Sequence, residues 1–88
     1  MKVESMRTPN GNAVSNQFII RCSNKTVFQS YKSTIVSIED GQVYLDPRYY
    51  NYSKTTSKYR NQFLDATTKQ VEERINSGEY LLKDLNGI

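Results

Sequence analysis

The chain lacks histidine and tryptophan altogether, and it has one cysteine and two prolines among its 88 residues. Without histidine, the commonest general base and the commonest metal ligand are missing, along with every Ser-His and Cys-His nucleophile arrangement. A lone Cys22 cannot close an internal disulfide, and no apolar run near the N-terminus reads as a signal peptide. Both features lead us to expect a reducing cytoplasm. No stretch has the length and apolarity of a membrane span. The carboxylates offer no substitute chemistry. Glu39-Asp40 reads as a turn, Glu72-Glu73 as the solvent side of a helix, and no metal-ligand spacing occurs. No enzymatic activity, no cofactor and no metal are therefore expected.

A second absence is local and more informative. Between Asp46 and Asp65 there is no acidic residue, yet Arg48, Lys54, Lys58 and Arg60 stand among Tyr49, Tyr50, Tyr52, Tyr59 and Phe63. The net charge of +3 is concentrated in this stretch. Cations attract phosphate and aromatic rings offer faces for bases, so interleaving the two suits a nucleic-acid surface. The same pattern also describes an amphipathic helix whose tyrosines are core and whose lysines face solvent. Tyr49 and Tyr50 flank a Pro-Arg turn outside the helical stripe, so one of them is expected to be exposed beside Arg48. Tyr31 and Lys32, at a junction between strands, complete the candidate contact set.

Residues 1–15, with Thr8-Pro9-Asn10-Gly11-Asn12, read as a flexible N-terminal arm, and 16–88 as one domain. Gln17–Cys22 and Thr26–Tyr31 read as paired strands, with Phe18, Ile20 and Cys22 on one face. Thr34–Ile38 and Gln42–Leu45 flank Asp40-Gly41, a tight-turn pair, and predict a hairpin that Asp46-Pro47 ends. Beyond Pro47 the period becomes helical. Tyr52, Thr56, Tyr59 and Phe63 form one stripe, opposite Lys54, Lys58 and Asn61. Thr67 with Gln70 makes a capping box for a second helix over Thr68–Asn76 with Gly78 as its stop, and Tyr80–Leu82 returns to the core. The fold class expected is α+β: an antiparallel sheet of three to five strands from two hairpins, followed by two short helices on one face. Its core is expected to combine Phe18, Ile20, Val36, Ile38, Val43 and Leu45 with Val71 and Ile75.

Ser15-Asn16-Gln17-Phe18, Phe28-Gln29-Ser30-Tyr31, the run Tyr52 to Leu64, and Ser77-Gly78-Glu79-Tyr80 through Asp84-Leu85-Asn86 together resemble a group of small uncharacterised proteins of bacteriophages and mobile elements. The resemblance implies an accessory protein acting in the bacterial host cytoplasm, with no catalytic residues to carry over. Two partner classes follow. One is nucleic acid or a nucleoprotein complex, bound through Arg48, Tyr49, Tyr50, Lys54, Lys58, Arg60, Tyr31 and Lys32. The other is a host defence protein, inhibited in the manner of an anti-CRISPR through a hairpin edge and exposed tyrosines. A DNA mimic would have to be acidic, and this chain is basic.

Overall fold

The computed structural model describes residues 1–87. Its strands are β1 (Lys2–Arg7), β2 (Ala13–Arg21), β3 (Lys25–Ser30), β4 (Ser33–Glu39) and β5 (Gln42–Leu45). Helices α1 (Lys54–Leu64) and α2 (Thr68–Ser77) follow, and β6 (Tyr80–Leu82) closes the order. All six strands form one sheet in sequence order. The first five pair antiparallel, whereas β6 runs parallel to β5. A parallel neighbour requires a long crossover, and the two helices supply it. The expected α+β architecture is therefore present, with six strands in a mixed sheet where three to five antiparallel strands were expected.

The added strand lies where a flexible arm was expected. Lys2 pairs with Arg21 and Ser5 with Phe18, and Met6 is buried. An edge strand needs only one apolar residue turned inward and tolerates charge elsewhere, so Lys2-Val3-Glu4-Ser5 does not read as a strand by itself. Arg21 Nε donates to Glu4 Oε1 across that ladder at 2.6 Å.

Register decides which face is core. Ile19, Phe28, Val36 and Leu45 stand opposite one another along β2 to β5, and Phe28, Val36 and Leu45 are completely buried. Phe18 and Ile20 pair with Gln29 and Val27 instead. They are half-buried and sit outside the main core cluster, so the expected face of β2 is the wrong one. Three consecutive apolar residues in a strand carry no parity, and a one-residue slip exchanges the faces. A bulge between Phe28 and Gln29 leaves Ile35 without a partner, yet buried.

The Asp40-Gly41 turn forms as expected, with φ of 51° and 80°, both positive as that turn demands. The Thr67–Gln70 capping box forms in both directions, and Gly78 ends α2 at φ 84°. Val71 is buried in the core with Ile75 packed beside it, and Phe63 of α1 stacks on Phe28 at 5.8 Å. No helix among the described residues is long and apolar enough to cross a membrane.

Candidate functional site

α1 starts at Lys54, capped by Ser53, whose Oγ accepts from the Thr56 amide. Tyr52 therefore lies before the helix. It is 70% exposed, not a member of the buried stripe as its spacing suggested. The stripe that packs inward is Thr56, Tyr59, Arg60 and Phe63, which follows the i, i+3, i+4, i+7 rule once the helix begins in the right place.

Arg60 is the large surprise on that stripe. Expected to be a surface cation, it is 0% exposed. Its Nη1 donates to the Tyr50 carbonyl at 2.7 Å, its Nη2 and Nε reach Asn61 Oδ1, and Nη2 reaches Thr68 Oγ1 at 3.3 Å. The guanidinium also stands 5.9 Å from the Tyr50 ring centroid. Burial lowers its pKa, opposed by Glu72 and Tyr50. Tyr50 in turn donates from its hydroxyl to Glu72 Oε1 at 3.2 Å, and burial first, then Glu72, raises its pKa. Tyr50 and Arg60 thus tie the loop before α1 to both helices, with the guanidinium fully enclosed and Tyr50 half-buried. Arg60 at i+4 from Thr56 is the signal that places it inside.

Other candidates converge. Tyr31 and Lys32 form the two-residue turn between β3 and β4, and they line an open cleft of about 600 Å³ with Tyr49 and Tyr52. Asn16, Ser30, Ser33 and Thr56 supply its polar lining. Ser30 and Thr56 are buried, and their hydroxyls hydrogen-bond at 3.0 Å. Tyr49 meets Tyr52 edge to face at 5.7 Å. Of the expected Tyr49 and Tyr50, neither is fully exposed; Tyr49 is half-buried on the cleft wall, and Tyr52 supplies the open ring.

Two conformational features hold the cleft in shape. Tyr31 sits at φ 55° and Asn16 at φ 64°, joined by the Tyr31 amide donating to the Asn16 carbonyl at 2.7 Å. Positive φ is ordinary for Asn and costs about 1–2 kcal/mol for a bulky residue such as Tyr, where Gly would be free. The second feature is Asp46, buried at the end of β5. Its Oδ1 accepts from the Arg48 and Tyr49 amides at 2.9 and 3.0 Å, which fixes the turn that carries Tyr49. Its Oδ2 accepts from the Leu85 amide and the Asn86 side chain, and Asn86 also bonds both backbone groups of Thr34. Burial works against the Asp46 charge, but these hydrogen bonds outweigh it and hold its pKa below the ordinary value.

Arg48, Lys54 and Lys58 are exposed around this region, and Arg48 does not line the cleft. The Lys58 Nζ lies 5.4 Å from the Tyr59 ring centroid. Gln17, which sequence reasoning passed over, is fully buried opposite Ser30, and neither atom of its carboxamide makes a hydrogen bond. Among the described residues no group of three or more His, Cys, Asp or Glu could hold a metal ion.

The structure is a small α+β domain with an aromatic surface cleft that Lys32 helps to line. The chain belongs to a family of unknown function, DUF8033, whose match spans residues 1–79 and so includes every residue that lines the cleft. No curated protein and no solved structure matches it.

Proposed function

We propose that this chain is a non-enzymatic accessory protein that binds nucleic acid or a nucleoprotein complex in a bacterial cytoplasm, the phage-type setting its sequence resemblance implies. The observation that carries the reading is the meeting of Tyr31, Lys32, Tyr49 and Tyr52 in one cleft, with Lys54 and Lys58 exposed on the adjoining helix. The tyrosines come from two separate loops, one at the tip of β3–β4 and one after Asp46. Lys32 in the cleft lining and the exposed Lys54 and Lys58 supply the attraction for a polyanion.

Binding of this kind is chiefly electrostatic, with stacking added, and it reads no sequence directly. Fluorescence anisotropy with labelled single-stranded and duplex oligonucleotides across a salt series tests it. Affinity should fall on log-log axes by about 0.7 per phosphate neutralised for a single strand and about 0.9 for a duplex. Binding that ignores salt, or none at all, overturns the proposal. A stoichiometric bacterial protein retained after nuclease treatment would instead place the chain among inhibitors of host defence.

A further inference from the structure

We infer that the tyrosine cleft is a subsite for an unpaired nucleobase, so that the ligand is a single strand in which one base leaves the stack and enters the cleft against an exposed tyrosine ring. The inference rests on the nucleic-acid reading above and adds the structural class of the ligand. Two of the three rings contribute little to the fold, since Tyr52 is 70% and Tyr31 54% exposed. Tyr31 is also kept at a positive φ, on the first residue of a two-residue turn, where Gly fits best. A bulky aromatic held there costs stability, and strain of this type collects at sites where the side chain is used.

The cleft has the shape and chemistry for one base. Its volume of about 600 Å³ lies within the span of roughly 300–1,000 Å³ common for small-ligand sites. The flat rings accept any base by stacking, while Ser30 and Thr56 give the lining a buried hydroxyl pair, to which Ser53 Oγ also donates at Thr56 Oγ1. Lys32 stands at the rim, where a backbone phosphate would pass. A base inside a duplex is stacked on both faces and paired at its edge, so it cannot reach these rings without being extruded.

The test compares four probes on the intact chain: decathymidylate, a ten-residue abasic strand with the same phosphates, a ten-base-pair duplex, and thymidine 5′-monophosphate. Decathymidylate should bind about tenfold or more tighter than the abasic strand, the change expected from stacking one base. Tyr52→Ala and Tyr31→Ala should erase that difference while leaving abasic binding unchanged, and Tyr31→Phe should retain it. Equal affinity for decathymidylate and the abasic strand overturns the base subsite and leaves the electrostatic reading standing. Tighter binding of the duplex, or of the mononucleotide, overturns the single-strand assignment. Failure of every probe to bind overturns both readings together.

Discussion

Tyr50 with Arg60, and Tyr31 with Lys32, Tyr49 and Tyr52, use the same two chemistries in opposite ways. In the first group the cation lies over the ring beneath the helices, and its donors are taken by the Tyr50 carbonyl, Asn61 and Thr68. In the second the rings open to solvent around a cleft, and the lysine sits at its rim. A run of mixed tyrosines and cations is therefore two things at once. Part of it joins loop to helix, and part opens to solvent. Exposure separates the two.

The largest effect belongs to the buried group. Arg60→Ala removes the donors from three acceptors and leaves a void under α1, so it should cost about 3–5 kcal/mol in a urea unfolding curve. Near-wild-type stability would erase the distinction between the two groups. Asp46→Ala comes next, at about 2–4 kcal/mol, because four hydrogen bonds from the cleft loop and the C-terminal segment lose their acceptor. Its pH dependence has a definite sign. The folded pKa is lowered, so the stabilisation is present above the unfolded value of about 3.9 and is lost as pH falls through the folded value. Melting measured at neutral pH and at about pH 3 should show a smaller acid-side loss in Asp46→Ala than in the wild type.

The exposed side yields smaller changes in stability and clearer ones in binding. Lys54→Glu with Lys58→Glu should leave stability within about 0.5 kcal/mol per site, and weaken oligonucleotide binding. If both lysines meet phosphates, the salt slope on a single strand should drop by about 1.4. Tyr31→Gly has the most diagnostic sign. Relieving the positive φ should stabilise the protein by up to about 1 kcal/mol while lowering affinity for a single strand. Loss of both stability and affinity would make Tyr31 a structural residue like Tyr50.

Local chemistry was legible in the sequence wherever one element carried its own instructions. Asp40-Gly41 sets its turn by backbone torsion alone, and Thr67 with Gln70 caps α2 through neighbours three residues apart. Tyr31 and Lys32 fall between two strands, and Tyr49 in the turn after Pro47, as the sequence suggested. Long-range partners stayed hidden. The inward face of Phe18-Ile19-Ile20 depends on Phe28 across the ladder, and β1 depends on β2 to exist as a strand. Tyr52 and Arg60 exchanged their expected places: the Ser53 cap starts the helix after Tyr52, which leaves that ring outside, and Arg60, four residues after Thr56 on the inward stripe, turns in toward Tyr50.

The most direct test measures Tyr52→Ala twice in one preparation, by thermal melting and by titration with decathymidylate. Removing a ring that is 70% exposed should leave the melting temperature close to that of the wild type and weaken binding about tenfold. A clear fall in melting temperature with unchanged affinity would contradict the division drawn between the buried and the open tyrosines.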